Sequence, residues 1–440
     1  MIQWRISNDA AIAASIAFTP GGFAMLALDE VRSHFPSLAS DAVFFDNPGG
    51  TQVAQEVVAR MQRYFSYSNA NHGGAFRTSQ VSDATVTEAR QAVADFLHAV
   101  RPEEIIFGQN MTSLTLHISR SIARLLNPGD ELVVTRLDHD ANIAPWLLIA
   151  EDRGCEVRWV DINPEDCTLD MAQMEQVISP RTKLVAVGYA SNAVGTINDV
   201  RHVVQLAHSV GALCYIDAVQ YAPHKAIDVQ ALDCDFLACS AYKFFGPHTG
   251  ILYGKYALLD QLKAYKVRTS GANPPDKFET GTQSFESIAG VLGVMEYFAW
   301  LGMTFGSPLS ERSEQSFSDL TPAVRSGLAA IEEYELILNS KLLTGLQSVP
   351  GLHIWGITDP QRMHRRVPTF SFTLQGHSPR SVAEQLAQQN IYAWNGNFYA
   401  LAVTERLGLE SSGGLLRIGL THYNTSDEID QLVTALKALA

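Results

Sequence analysis

A lysine and an aspartate, each just past an apolar run, are the residues whose types and spacing best suit covalent chemistry. Both lie in LCYIDAVQYAPHKAIDVQALDCDFLACSAYKFFGPHTG, residues 213–250. The first run delivers Asp217 to its C-terminal end, with Gln220 close behind. The second delivers Ser240 and then Lys243. Flanked by Tyr242, Phe244 and Phe245, the lysine is expected to be partly desolvated, which lowers its pKa toward that of a nucleophilic amine. A carboxylate nearby can keep a pyridine nitrogen protonated, the condition under which pyridoxal phosphate acts as an electron sink. Each residue alone also has a plainer role, as a strand-end lysine with its stem on apolar surface or an aspartate capping a turn.

Three further stretches add candidates. In EEIIFGQNMTSLTLHISRSIARLL an apolar run, a small loop and a helix pattern follow one another. That order places the loop Gly108, Gln109, Asn110, Met111 and Thr112 where first-turn amides favour an anion. Thr112 or Ser113 acting as a plain helix cap is the other reading. His139, in RLDHDANIAPW, sits just past another run, where an imidazole can stack on a planar group and move protons. No metal is expected there, because Asp138, His139 and Asp140 are adjacent, point apart, and have no second histidine at ligand spacing. Arg417, in LLRIGLTHYNT, is suited to a two-pronged carboxylate pair, and equally to a surface salt bridge. Neither GxxxxGK[ST] nor GxGxxG occurs, so a nucleotide-binding oxidoreductase reading fails.

These residues need a scaffold. Short apolar runs at Glu104–Phe107, Glu131–Thr135, Glu156–Val160, Leu184–Tyr189, Leu213–Asp217, Phe236–Ser240 and Gly250–Gly254 alternate with helix patterns such as Ser113–Leu126, Ala144–Arg153 and Val200–Val210. Most are continuous rather than alternating, the mark of strands buried on both faces. The expected fold class is α/β: a mostly parallel seven-stranded sheet flanked by helices, with ligands at the rim where the strands end. Residues 1–42 read as an N-terminal arm and 43–315 as the large domain. Residues 316–440 read as a smaller α+β C-terminal domain, reached through Gly302–Ser318 and a helix at Leu320–Leu346. That domain is expected to hold strands at His353–Trp355 and Thr369–Leu374, a helix at Ser381–Gln389, the Gly413–Leu420 run and a final helix at Ser426–Leu439.

Composition sets the outer bounds. With 440 residues, 46% hydrophobic and only 18% charged, the chain is long enough for a large core without staples. A net charge of −14 argues against nucleic acid, which needs a clustered basic footprint. Five cysteines, Cys155, Cys167, Cys214, Cys234 and Cys239, form no CxxC pair, as expected of reduced thiols in a cytoplasmic protein. The apolar stretch Ala10–Leu28 is broken by Thr19, Pro20, Gly21 and Gly22 and reads as neither signal peptide nor span. No uninterrupted run elsewhere reaches the ~18 apolar residues of a membrane helix, so no membrane partner is expected.

Taken together, the blocks FFDNPGGT, NHGG, DHDANIAPW, SNAVGTIND, YIDAVQYAPH, CSAYKFFGP, FETGTQSF and LRIGLTHYNT resemble, in order and spacing, the class V aminotransferase and cysteine desulfurase family of fold-type I pyridoxal-phosphate enzymes. The resemblance runs from about Val43 to the C-terminus. It implies that Lys243 forms the internal aldimine and then moves protons, that Asp217 pairs with the pyridine nitrogen, and that Gln220 bonds the ring hydroxyl. His139 would stack on the ring, and Asn110, Met111, Ser240 and Tyr242 would hold the phosphate. Thr282 would reach the phosphate of a neighbouring subunit, which implies a homodimer, and Asn192 and Arg417 would hold the substrate carboxylate.

Two departures bear on the reaction. Tyr242 stands where the family commonly has histidine. The desulfurase pattern also places a sulfur-accepting cysteine near Tyr399, in NIYAWNGNFYALAV, yet no cysteine follows Cys239. Trp394 stands near the place of that loop's usual arginine. Persulfide relay is therefore not expected. The aromatic loop of Tyr392, Trp394, Phe398 and Tyr399 suggests room for a side chain larger than that of cysteine. The resulting expectation is β-elimination at a C–S bond, with transamination or epimerisation as alternatives and a non-catalytic cofactor-binding protein as a distant one.

Overall fold

A computed structural model of the chain describes residues 26–306 and 321–440. The expectations for Met1–Ala10 and most of Ala10–Leu28, for much of Gly302–Ser318, and for the 315/316 boundary lie outside the described residues. The strands, in chain order, are β1 (Val43–Phe44), β2 (Ile105–Gly108), β3 (Glu131–Thr135), β4 (Glu156–Val160), β5 (Thr182–Gly188), β6 (Leu213–Asp217) and β7 (Phe236–Ser240). They continue as β8 (Gly250–Gly254), β9 (Leu352–Trp355), β10 (Thr369–Leu374), β11 (Ile391–Tyr392), β12 (Trp394–Gly396) and β13 (Leu415–Gly419).

The architecture is α/β, as expected. Seven strands form one sheet in the order β2-β8-β7-β6-β5-β3-β4. Neighbours from β7 through to β4 pair in parallel. Only β8 runs against the others, pairing antiparallel with both β2 and β7. Strands β3, β7 and β8 are buried along their whole length, in line with their unbroken apolar runs. Strand β4 is a correction, because it is the sheet edge and only Val160 in it is buried. Strand β2 starts one residue later than expected. Glu104 instead closes a turn, where its carboxylate accepts from the Val100 and Tyr256 amides at 3.0 and 3.1 Å.

Two apolar layers cover the sheet. On one face pack the helices Met111–Ile122 and Ala144–Arg153, with Trp146 fully buried among them. On the other, the helix Phe285–Phe305 lies against the helices Gln55–Tyr67, Arg77–Leu97 and Thr321–Gln347. Phe285–Phe305 is long and apolar enough to cross a membrane, but it is mostly buried within this layer. Close backbone approach explains Gly302: a Cβ there would meet the Ala323 carbonyl oxygen at 1.7 Å.

The C-terminal unit is an antiparallel sheet in the order β12-β13-β10-β9, with its own apolar cluster. The Thr321–Gln347 helix serves both cores, giving Val324, Leu328 and Ile331 to the large one and Leu338, Leu342 and Leu346 to the small one. Residues from the start of the described chain also join this unit. Strand β1 pairs in parallel with β11, and Val43 and Phe45 pack in the C-terminal cluster. The helix expected at Ser381–Gln389 is Pro379–Ala387, because Ser378 caps the Ser381 amide at 3.2 Å and Pro379 takes the first turn.

A tight contact ties the large sheet to its ligand-binding edge. A Cβ on Gly250 would lie 2.4 Å from the Asn110 carbonyl carbon, so β8 packs directly under the start of the Met111–Ile122 helix. Gly250→Ala should destabilise the protein by about 1–3 kcal/mol, as overpacking does. A urea unfolding midpoint equal to that of the parent would refute this close packing.

Candidate active site

The C-terminal ends of β2, β3, β5, β6 and β7 open into a cavity of about 910 Å³, closed from the other side by β12, β13 and the turn after β12. In an open parallel sheet this edge gathers loops from many strands, which brings residues distant in sequence together. Lys243, Asp217, Gln220, His139, Asn192 and Arg417 all line it, as do Asn110, Met111, Ser240 and Tyr242.

Asp217 ends β6 and Lys243 ends the turn after β7, the strand beside it. Burial lowers the Lys243 pKa to about 7. Arg417 pushes the same way, and Asp217 opposes it. The lysine's amine donates to the Pro48 carbonyl. Burial raises the Asp217 carboxyl to about 6, against the Val219 amide, which donates to its Oδ1 at 2.9 Å, and against Lys243. Gln220 donates from Nε2 to Thr369 Oγ1 at 3.1 Å, while its Oε1 is buried without a partner.

The anion end of the cavity differs locally from expectation. The helix starts at Met111, and Asn110 is its cap, accepting from the Ser113 amide at 2.9 Å. Neither Thr112 nor Ser113 is the cap. The Met111 amide donates to Ser240 Oγ at 2.9 Å, which leaves the Ser240 hydroxyl proton free to donate elsewhere. Tyr242 stacks on His248 with ring centroids 4.8 Å apart.

His139 is held in one tautomer. Its Nδ1 accepts from the Ala141 amide at 3.0 Å, so the proton of the neutral ring sits on Nε2. Burial lowers its pKa to about 4, with Lys243 and Arg417 adding to the shift. Beneath it, Asp138 accepts from Thr135 and from Asn142 Nδ2, the latter at 2.7 Å, and Asn142 accepts from Trp146 Nε1 at 3.2 Å. This network fixes the turn that carries the imidazole.

Arg417 stands in β13, only 4% exposed. Its Nη1 donates to the Asn192 carbonyl at 2.9 Å, its Nε is buried without a partner, and the Phe398 ring lies 4.2 Å from the guanidinium carbon. Burial lowers its pKa to about 9. Asn192 donates from Nδ2 to the Phe398 carbonyl at 2.8 Å, and its Oδ1 has no partner. The result is an open guanidinium edge beside a free amide oxygen in a nearly dry setting, the arrangement that grips a carboxylate.

Thr282 is exposed and does not line this cavity. None of the five cysteines lines it either. Sequence reasoning passed over His248, Asp46 and the positioning role of Asp138. Asp46 is half-buried with a buried, unpartnered Oδ1, and burial raises its carboxyl to about 6 against its own backbone amide and Arg417. Asp46 meets Arg417 only through tertiary contact, whereas Asp138 and His248 have partners close in sequence, Thr135, Asn142 and Tyr242, that no apolar run or helix pattern points to.

The comparisons with known proteins agree with this geometry. The family model described as aminotransferase class-V matches residues 43–323 and 323–432. An aminotransferase-like protein, FGM3, from Gibberella zeae is 34% identical over 421 residues, 93% of this chain and 98% of that one. A cysteine desulfurase from Dickeya dadantii is 32% identical over 429 residues, 93% of this chain and 96% of its own length. Among solved structures, the apo cysteine desulfurase of Thermococcus onnurineus NA1 superposes with a TM-score of 0.82 at 27% identity, covering 93% of this chain and 97% of that one.

The charges around Lys243 make a signed prediction. In cofactor-free protein, labelling of Lys243 by an amine reagent, read by peptide mass spectrometry, should be half-maximal near pH 7. Asp217→Asn removes an anion that favours the ammonium, so the midpoint should fall. Arg417→Gln removes a cation that disfavours it, so the midpoint should rise. Midpoints that do not move in either variant would show that these charges do not reach the amine.

Proposed function

The chain belongs to the class-V aminotransferase family, a family of pyridoxal-phosphate enzymes, and from that membership we propose an enzyme that acts on an α-amino acid by C–S lyase-type β-elimination. The observation that carries this reading is the joint placement of Lys243, Asp217 and Arg417 in one cavity.

The residues present fit the cofactor. Gln220 Oε1 is a buried acceptor without a partner, as a ring hydroxyl requires. Asp217 is an acceptor for a pyridine N–H, and the neutral His139 ring is a stacking surface. Asn110, Met111, Ser240 and Tyr242 would hold the phosphate at a helix N-terminus. When bound, pyridoxal phosphate supplies an electron sink for a carbanion at Cα.

The protein's own groups do the rest. Arg417 and Asn192 bind the substrate carboxylate and so fix the orientation of Cα. Lys243, with a pKa of about 7, is part neutral amine at neutral pH, and it is the group to take the Cα proton and pass it to the departing sulfur. In the elimination, Cα–H and Cβ–S break, a Cα=Cβ bond forms, and a thiol leaves. Water then converts the enamine to pyruvate and ammonium. Burial raises the Cys167 thiol to about 12 and raises Cys214, Cys234 and Cys239 well above the usual range, and no cysteine lines the cavity. These facts support release of sulfur as a free thiol rather than as a protein persulfide. Transamination shares the same proton removal and differs in its products.

We also propose a cytoplasmic homodimer, a reading supported by the five unbridged cysteines and by an exposed Thr282 outside this chain's own cavity. The test is a visible spectrum of the holoenzyme with a panel of amino acids and product analysis. Pyruvate and thiol with the band restored support elimination, while a keto acid retaining the substrate's side chain and a pyridoxamine spectrum would replace it with transamination. Lys243→Ala should abolish turnover and the band that comes from the cofactor's bond to the lysine, without unfolding the protein. Arg417→Ala should raise KM about ten- to hundredfold, the loss expected for a charge-assisted pair of ~1.5–3 kcal/mol. An unchanged KM would remove Arg417 from the substrate site.

A further inference from the structure

The cavity is built for more than the cofactor and an α-carboxylate. Its outer wall comes from β12 and the turn that follows, residues 394–399. Trp394 pairs with Arg417 across β12 and β13, so the indole is anchored beside the carboxylate grip. The next turn is held in a conformation that non-glycine residues avoid. Phe398 and Tyr399 have φ of 58° and 59°. Four hydrogen bonds hold that shape. Asn397 accepts the Tyr399 amide at 3.1 Å and donates to Glu410 at 3.0 Å. Asn192 donates to the Phe398 carbonyl at 2.8 Å, and the Asp140 amide donates to the Tyr399 carbonyl at 2.6 Å.

This strained turn keeps large rings in contact with water. Trp394 is 51% exposed and Tyr399 74%, yet both line the cavity, and Tyr399 stacks on His139 with centroids 5.5 Å apart. Rings held open at the mouth of a pocket gain by covering an apolar ligand. Charge points the same way. The only lysine and arginine among the lining residues are Lys243 and Arg417, both already used. Asp140 also lines the cavity, and its amide donates to the Tyr399 carbonyl, so a carboxylate stands next to the turn, whereas the exposed His248 lies against Tyr242.

We infer that Trp394, Phe398 and Tyr399 form a subsite for a bulky, uncharged, apolar or aromatic substrate side chain, and that Asp140 disfavours a second carboxylate there. The inference rests on the reading that Arg417 holds the α-carboxylate of an amino acid in this cavity. It makes the three rings specificity determinants and sets free cysteine among the poorer ligands.

The experiment titrates holoenzyme with S-benzyl-L-cysteine, L-cysteine and S-carboxymethyl-L-cysteine. The change in the visible band gives an apparent Kd, so binding is read whichever reaction follows. S-benzyl-L-cysteine should bind at least about tenfold more tightly than either of the others. Trp394→Ala and Tyr399→Ala should each narrow the S-benzyl to L-cysteine ratio by about tenfold. Tyr399, being largely exposed, keeps the test valid if the tryptophan variant does not fold. Asp140→Asn should tighten S-carboxymethyl-L-cysteine several-fold. Equal affinities for the three, or tightest binding of S-carboxymethyl-L-cysteine, would overturn the subsite while leaving the amino-acid reading intact. A band that responds to no α-amino acid would overturn both.

Discussion

Arg417 is a full positive charge set in an interior strand of the C-terminal sheet, with no carboxylate among the described residues bonded to its guanidinium. Taking such an ion out of water costs several kcal/mol unless partners repay it. Here it has one carbonyl, one ring face and the field of Asp46. The site is organised by that incomplete solvation. Burial lowers the Lys243 and His139 pKa values and this charge adds to both shifts, so both keep neutral forms near neutral pH. A substrate carboxylate arriving at Arg417 would satisfy the guanidinium and weaken its field on the lysine. Binding of a carboxylate there would thereby be linked to lysine basicity through one buried group.

Around this charge the polar groups are arranged by how much freedom each keeps. His139 has its tautomer fixed by a backbone amide, and its turn fixed by Asp138 and Asn142. Asn110 spends its side-chain oxygen on the helix cap. By contrast, Gln220, Asn192 and Arg417 each retain a buried atom without a partner. Fixed groups shape the cavity and unsatisfied ones wait for a ligand, because a buried polar atom without a hydrogen bond carries a penalty that binding relieves.

The large sheet was legible in the sequence because its strands are buried on both faces and read as unbroken apolar runs. Asp217 and Lys243 were legible because each follows such a run directly. The edge position of β4 was not read, although Glu156 and Arg158 alternate there with Val157 and Trp159, unlike the unbroken runs of the interior strands. The helix cap was read at the adjacent Thr112 or Ser113, while the actual cap, Asn110, comes earlier and is packed against Gly250, far along the chain. The aromatic loop was visible as composition, but its left-handed backbone depends on Asn192 and Asp140, which no local pattern connects to it. Asp46 was missed for the same reason, since Arg417 lies far from it in the chain.

Strand β1 has a consequence for how this protein can be divided. Val43 and Phe45 lie in the C-terminal core, Phe45 accepts the Gly419 amide at 2.8 Å, and Asn47 donates to the Gly419 carbonyl at 2.8 Å. Topologically, the large sheet is therefore an insertion between the first and last segments of the smaller unit. A chimera that exchanged only the C-terminal part with a relative would pair a foreign β11 and β13 with the native residues 43–47. Any module boundary drawn for exchange must carry that short N-terminal segment along with the C-terminal half.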